Sequence, residues 1–280
     1  MTTTAPTPTA ETSGTLPAKP RMTSRKIVGV VAPIVILLLV MGLWYLVSYA
    51  FLDPGRRFLM PPPHLVIIDG VFGDAAPDMW EALGRTASVA LTGLALAAVI
   101  GIVWAVLMSQ STIVENALFP YAVVLQCIPI LALVPLVGFW FGFGFTARIF
   151  VCVLIALFPI VSNTLFGFRS VDRQMRDLFA LHHPSRLTVL RKLEFPAAMP
   201  AIFAGLRISA GLAVVGAIVG DFFFKQGNPG IGILIDNYRS RLQSPELFAS
   251  IILASLLGVA VFWFFGWLGN RVVGRWYQPS

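Results

Sequence analysis

The chain has 280 residues, of which 57% are hydrophobic and only 12% are charged, and its mean hydropathy is +0.83. About a quarter of the residues in an ordinary soluble domain are charged. The composition therefore excludes a soluble globular protein and predicts a polytopic membrane protein. A net charge of +7 would suggest a nucleic-acid partner for a soluble protein. Here the positive charge is explained by orientation in the membrane, so no nucleic-acid partner is predicted.

The amino-terminal part predicts a tail followed by a first transmembrane helix. Residues 1–26 are rich in Thr, Ala and Pro and end with basic residues, which predicts a disordered cytoplasmic tail. The apolar run 27–50 would be about 36 Å long as a helix, enough to span a bilayer. A signal peptide has a similar basic start but a shorter apolar core, so we predict an uncleaved span.

The segment 51–85 is polar and acidic and contains three consecutive prolines, and we predict that it lies outside the cytoplasm. Residues 86–275 then form a core with five further spans. The apolar region 117–167 must hold two of them, and its glycine-rich stretch 141–148 predicts the turn between them. Inside these spans three prolines are predicted to kink the helices: Pro129, Pro135 and Pro159.

The distribution of Lys and Arg predicts the topology. With the amino terminus inside, twelve of these residues fall on the cytoplasmic side and seven on the outer side. The positive-inside rule then favours six spans with both termini in the cytoplasm of a cell (plasma) membrane protein.

The longest charged stretch between two apolar segments is 169–207. Charged side chains are costly in hydrocarbon, so this stretch is predicted to lie at the membrane surface. Its leucines recur at helical spacing, and His183-Pro184 predicts a break between two short helices. Taken alone, such a loop is also compatible with a simple solvated loop of another membrane protein.

This stretch resembles the cytoplasmic loop of binding-protein-dependent ABC importer permeases that docks onto the ATPase subunit. Asp177 stands where that motif has glutamate, and residues 195–200, FPAAMP, followed by GLR at 205–207, match its usual ending. The loop glycine of the family falls at His183. The segments IPILALVPLVGFWFGFG and FPIVSNTLFG are similar to spans three and four of the nitrate, sulfonate and taurine branch. The segment FLMPPPHLVIIDGVF looks like the family's proline-containing stretch before a short amphipathic helix; a simple connector is the alternative.

The resemblance implies an all-α type I (MetI-like) permease with six transmembrane helices and a coupling loop at 169–200. It implies partners as well: P-loop ATPase subunits, a second permease copy, most simply in a homodimer, an extracytoplasmic solute-binding protein and membrane lipid. For ATPase coupling, the implied residues are Asp177, Phe179, His183, Arg186, Pro196 and Pro200.

The chain contains no P-loop motif, so we expect no catalytic residues, no metal and no cofactor in it, and ATP bound by the partner subunit. The adjacent His182 and His183 lack further ligands at helical spacing. Both cysteines, Cys127 and Cys152, are interpreted as apolar filler.

Polar residues inside membrane spans usually face a bundle interior or a pathway. Four of them are candidates for the substrate path: Gln126, Ser162, Asn163 and Asp221. Hydrogen bonding between neighbouring helices is an equally simple role for such residues.

The predicted function is import of a small polar solute, either an anion of the nitrate, sulfonate or taurine type or a precursor of the pyrimidine or riboflavin type. The stretch GLAVVGAIVGDF at 211–222 looks more like the vitamin-precursor members. A passive channel and a polytopic membrane enzyme are the alternatives. Neither explains a docking loop, and an enzyme would need clustered acid, base or metal ligands.

Overall fold

The computed structural model describes residues 22–274 and the side chains from residue 31 onward. Most of the predicted disordered tail and the last six residues lie outside the described residues. Throughout the described part the chain is helical, without a strand, which confirms the predicted all-α class. The helices are α1 (Met22–Leu46), α2 (Pro63–Leu65), α3 (Ala76–Ser109), α4 (Thr112–Cys127), α5 (Ile130–Phe141), α6 (Phe145–Arg169), α7 (Arg173–Ala180), α8 (Arg186–Val189), α9 (Phe195–Phe223), α10 (Ile231–Ser240) and α11 (Ser244–Val273).

Five helical segments are long and apolar enough to cross a membrane, and the pair α4 and α5 raises the number to six if it counts as one bent span. Helix α3 is longer than predicted, because it begins at Ala76 rather than near residue 86. The first ten residues of this helix therefore belong to the segment that was predicted to lie outside the cytoplasm.

The third predicted span is broken rather than kinked. Helices α4 and α5 meet at 98°. Ile128, the residue before Pro129, is extended with ψ of 126°, as expected before a proline, and Pro129 becomes the residue that precedes α5. Pro135 and Pro159 lie inside continuous helices. The turn predicted in 141–148 lies between α5 and α6, where Gly142 adopts a φ of +76°.

Helix α6 forms the centre of the bundle and packs closely against α3 and α9. Glycines on these two helices permit the close approach. A Cβ at Gly101 would lie 2.9 Å from Ile160 Cγ2, and one at Gly205 would lie 2.9 Å from Asn163 Cβ. Small residues at such contacts are typical of helix packing in membranes.

The helix ends sort onto two sides of the bundle. One side, here called the coupling side, carries α7, α8, the start of α9 and the end of α11. The other, called the far side, carries the start of α6, the end of α9 and α10. At the periphery, α1 is held on the far side by Trp44, whose Nε1 donates to Pro61 O at 3.0 Å. Between residues 31 and 46 most apolar side chains of α1 are exposed.

Candidate functional site

Helix α7 is the first element after the central helix on the coupling side. Asp172 precedes it, and its carboxylate accepts a hydrogen bond from Gln174 N at 3.0 Å. A side chain of this kind satisfies one of the free N–H groups at a helix start. The cap defines where this short helix begins, right after the end of α6.

Apolar side chains on this segment face outward. Met175 and Leu178 are about half exposed, and Leu181 and Leu187 are more exposed still. We call these four residues the coupling surface. Single exposed leucines are common on proteins, whereas a group of them on an otherwise charged segment is a candidate contact surface for another protein.

The turn between α7 and α8 lies at His183-Pro184. His183 has a φ of +47°, one of two non-glycine residues with positive φ in the described chain. Glycine adopts this conformation most readily, and histidine adopts it at a cost. The position where the resemblance requires glycine is therefore a left-handed position here too. Ser185 then caps α8, because its Oγ accepts from Thr188 N at 3.3 Å.

From Arg186 to Phe223 the chain is one continuous helical segment. Pro196 and Pro200, at the end of the predicted coupling loop, therefore lie within this segment and do not interrupt it. A π-helical stretch, Leu190–Glu194, precedes Pro196, and the hydrogen bond from Phe195 N to Leu190 O closes its wider turn. Such a turn accommodates a proline without ending the helix. Helix α8 and the π turn are thus continuous with α9.

Two arginines connect the coupling loop, residues 169–200, to the helix bundle. Arg176 Nη2 donates to Phe168 O at 2.7 Å and lies 3.8 Å from Glu194 Oε1. Arg186 Nη1 donates to Gln110 O, in the turn between α3 and α4. Arg186 therefore contacts the helix bundle of its own chain. Asp177 is exposed on α7, while Phe179 is half-buried.

The four candidate path residues do not form one cluster. Gln126 is exposed on α4. Ser162 and Asn163 are half-buried on α6, and both donate to Pro159 O, at 3.4 Å and 2.8 Å. Asp221 lies at the end of α9 on the far side, completely buried. None of the hydrogen bonds among the described residues joins any two of them.

Asp221 takes part in a buried polar network. Arg148 Nη1 lies 3.1 Å from Asp221 Oδ1, and Thr86 Oγ1 donates to Asp221 Oδ2 at 2.7 Å. Thr86 Oγ1 in turn accepts from Ile231 N at 2.8 Å. The network joins α3, α6, α9 and α10. Because the Asp221 side chain has no exposed surface, a role in the substrate path finds no support in this geometry and stays a prediction.

The same arginine holds the loop that follows α9. Arg148 donates from Nε and Nη2 to Phe224 O at 3.0 Å and 2.6 Å, and it also reaches Gln226 O and Asn228 O at 3.1 Å and 3.2 Å. A buried charge is tolerated when a counter-charge and hydrogen bonds surround it. No role was predicted for Arg148 from the sequence. Its separation from Asp221 carries no local pattern that would have paired them.

The histidine pair shows no metal geometry. His182 Nδ1 lies 3.4 Å from Leu178 O, and His183 makes the turn described above. Across residues 22–274, no group of three or more His, Cys, Asp or Glu side chains is arranged to hold a metal ion.

A family model described as binding-protein-dependent transport system inner membrane component matches residues 97–274, which is more than half of the chain. The chain belongs to this family. The permease is 32% identical to the formylaminopyrimidine transport permease protein ThiX of Halalkalibacterium halodurans, over 82% of this chain and 90% of that protein. It is also 32% identical to the riboflavin transport system permease protein RibX of Chloroflexus aurantiacus, over 78% and 81%. The putative aliphatic sulfonates transport permease protein SsuC of Escherichia coli is 32% identical, over 71% and 75%.

A solved structure has the same fold. The crystal structure of an amino acid ABC transporter with histidines superposes with a TM-score of 0.55, over 73% of this chain and 96% of that chain, at 15% identity. An identity this low supports the fold alone.

The protein is therefore a multi-pass membrane permease subunit of an ABC importer, and it is not itself an enzyme. An ATPase and a substrate-binding protein are its partners by membership of this family. The predicted family, fold class and function are confirmed, whereas the passive channel and the membrane enzyme are not supported.

Proposed function

We propose that the ATPase docks on the coupling surface and that α9 carries the resulting movement into the membrane. The observation that carries this proposal is the unbroken helical segment from Arg186 to Phe223. At 1.5 Å per residue it is about 57 Å long. A push at its exposed end displaces the buried part of the same helix, because no flexible joint lies between the two.

Each predicted coupling residue has a proposed part in this arrangement. Asp177 is exposed on α7 and presents its charge to the partner, beside the apolar coupling surface. Phe179 packs at the inner side of the segment, in a pocket that Pro184 also lines. His183 sets the turn, and Arg186 links the segment to the turn at Gln110.

Pro196 and Pro200 lie at the start of α9, where we propose that they position the π turn between the surface and membrane parts of the helix. Neither residue can donate a backbone hydrogen bond. The local wider turn places that missing donor where the helix changes from charged to apolar sequence. The role is therefore one of helix geometry rather than of contact with the ATPase.

We propose further that both termini are cytoplasmic and that two copies of the permease form the pathway. The excess of Lys and Arg on the coupling side supports this orientation. A single permease domain and large exposed apolar side chains on α5, such as Phe139 and Trp140, support pairing with another membrane subunit. Gln126, Ser162 and Asn163 are the candidates for the polar lining of this pathway; lipid covers the remaining apolar surface.

For the solute, we propose a precursor of the pyrimidine or riboflavin type. Strong matches to the permeases ThiX and RibX, together with the stretch 211–222, support this choice. A sulfonate- or nitrate-type anion is the second candidate, because permeases for both are also relatives. Uptake of labelled formylaminopyrimidine, riboflavin, a sulfonate and nitrate, measured in cells with and without this gene, separates the candidates.

The docking proposal is tested by purification from mild detergent, with co-purified P-loop ATPase measured by mass spectrometry. Leu178→Asp places a charge in the coupling surface, and Asp177→Arg reverses the neighbouring charge. Truncation of a central interface residue costs about 2 kcal/mol or more, so we expect recovery of the ATPase to fall at least about tenfold.

The matched control is Leu242→Asp, which changes a still more exposed leucine on the far side. The ATPase should co-purify with this variant as with the wild type. Full recovery with folded Leu178→Asp would place the docking site elsewhere on the coupling side.

A further inference from the structure

Arg207 is an arginine on the membrane-spanning helix α9. It is the only charged residue of α9 between Glu194 and Asp221. About 20 Å of helix separates it from each of these two residues, at 1.5 Å per residue. Its neighbour Gly266 on α11 comes five residues, about 7.5 Å of helix, before the charged Arg271, so Arg207 lies in the part of the span towards the coupling side.

The guanidinium of Arg207 has no counter-charge in the described part of the chain. Salt bridges and side-chain hydrogen bonds there involve other arginines, and Arg207 instead stacks on the ring of Phe262, with its Cζ 4.1 Å from the ring centroid. This contact covers one face of the guanidinium and leaves the N–H groups at its edge free. By contrast, Arg148 at the start of α6 has a carboxylate and three carbonyls around it.

The free edge belongs to a cleft of about 300 Å³ between α9 and α11. Asn270 also lines this cleft, is exposed, and makes no side-chain hydrogen bond within the described residues. Gly266 and Gly269 form part of the wall. A Cβ at Gly266 would lie 3.1 Å from Arg207 Nε, so the absence of a side chain there makes room for the guanidinium.

An arginine without a counter-charge inside a span is energetically costly. The cost is removed when the side chain reaches an anion, and a planar guanidinium binds oxyanions through two parallel N–H groups. A neighbouring amide adds a further donor. We propose that the cleft binds an oxyanion group, held by the guanidinium of Arg207 and the side-chain amide of Asn270.

Two sources supply such a group at this place. One is the headgroup phosphate of a phospholipid in the leaflet on the coupling side, because the cleft extends to the end of α11, near that membrane surface. The other is an anionic solute leaving the pathway. The chemistry that recognises the group is the same in both cases, and it does not depend on where the ATPase docks.

The experiment uses the purified permease, without ATPase, in nanodiscs of phosphatidylcholine. One arm adds phosphatidylglycerol to the disc lipid, and the other adds inorganic sulfate at constant ionic strength. The unfolding temperature of the permease is followed in each arm. We expect the wild type to be stabilised in at least one arm. In Arg207→Gln the concentration for half of the effect should rise by about tenfold or more, since hydrogen bonds to charged groups contribute about 1.5–3 kcal/mol.

Matched variants separate this site from general effects of charge. Arg271→Gln removes an arginine that stacks on Trp267 at the end of α11 and should respond like the wild type. Gly266→Ala should weaken binding, because its Cβ displaces the guanidinium. Gly258→Ala on the same helix should not, because its Cβ would meet Val214 at an ordinary 3.9 Å.

Stabilisation by phosphatidylglycerol alone assigns the site to a lipid headgroup, and stabilisation by sulfate assigns it to a free anion. Both support the proposal if Arg207→Gln abolishes them. If Arg207→Gln does not fold, Gly266→Ala against Gly258→Ala decides in its place. The proposal is overturned if neither addition stabilises the wild type, or if Arg207→Gln and Gly266→Ala respond as the wild type does.

Discussion

The two ends of α9 lie in contrasting surroundings. At the far end Asp221 is completely buried, and Arg148 beside it is only 4% exposed. Thr86 and the loop after α9 close the network around them. At the other end the helix leaves the bundle as far as Arg186, beside a helix whose Leu178 is 53% exposed. One end is held by contacts with three other helices, whereas the other end, held by the contact of Arg186 with Gln110, lies beside exposed apolar side chains.

This difference suggests how one helix serves two tasks. A fastened end keeps the far side of the bundle in one arrangement. Under the proposed docking, the Arg186 end moves with the ATPase, and the π turn at Leu190–Glu194 keeps the helix continuous between the two ends. On this proposal, the buried network fixes one end of α9 while the ATPase moves the other end.

Loss of the ion pair between Asp221 and Arg148 should have the largest effect on stability. In Asp221→Asn, the buried charge of Arg148 loses its counter-charge, which in other buried pairs costs about 3–5 kcal/mol. We expect a large drop in the unfolding temperature, measured by fluorescence-detected size-exclusion chromatography after heating. Asp236→Asn, which breaks an exposed pair, is the control. An unfolding temperature equal to that of the wild type would show that the carbonyls alone satisfy Arg148.

Glycines in the π turn should make the helix flexible there and weaken the transmission of movement along α9. Arg191 and Lys192 are exposed in the π turn, and glycine costs about 1 kcal/mol relative to alanine at each helical position. We expect Arg191→Gly with Lys192→Gly to reduce solute uptake several-fold while the ATPase still co-purifies. The double alanine variant removes the same charges and keeps the helix, so it should transport better than the glycine variant. Equal uptake by the two variants would argue against transmission through α9.

Substitution of His183 should have a smaller effect, and it should increase stability. Glycine adopts the observed φ of +47° without the cost that histidine has. We expect His183→Gly to stabilise the permease by about 0.5–1 kcal/mol. His182→Gly is the control, because His182 has no positive φ, and it should be neutral or destabilising. A loss of stability in His183→Gly would mean that the imidazole makes contacts that outweigh the backbone term.

The smallest effect concerns Asp236 on the far side. A hydrogen bond from Lys225 Nζ, at 2.6 Å, and the nearby Arg239 lower the pKa of the Asp236 carboxyl. A lowered pKa in the folded protein stabilises it at neutral pH, and this contribution is lost as the pH falls from the ordinary carboxyl range through the lowered value. Exposed pairs contribute little. Asp236→Asn should therefore lower the unfolding temperature slightly at neutral pH and not at acid pH. An equal loss at both would contradict a charge effect.

Much of the fold could be predicted because its signals are local. Apolar runs predict spans, and the glycine-rich stretch before Phe145 predicts the turn between α5 and α6. The special conformation at His183 could also be expected, since the related loops carry glycine there. Bounds such as Ala76 for the start of α3 were missed, because the sequence there is polar enough to be taken for a loop.

The break at Pro129, where a kink was predicted, and the unbroken helix at Pro196 have one physical reason. A proline disturbs a helix, but the surrounding contacts decide the form of the disturbance. At Pro129 the chain turns by 98°, whereas at Pro196 a single wider turn keeps the helix continuous. Nothing in the immediate neighbours of either residue distinguishes these outcomes.

The sequence by itself determined that this protein lies in the membrane, that its helices cross it about six times, and that one charged loop resembles the docking loop of importer permeases. Hydropathy and short motifs determine these features, and both are read within a few neighbouring residues. Only the tertiary structure decided which charges are paired. It joined Asp221 to Arg148 and placed no counter-charge beside Arg207 among the described residues, because the groups that pair with a charge are distant in the chain.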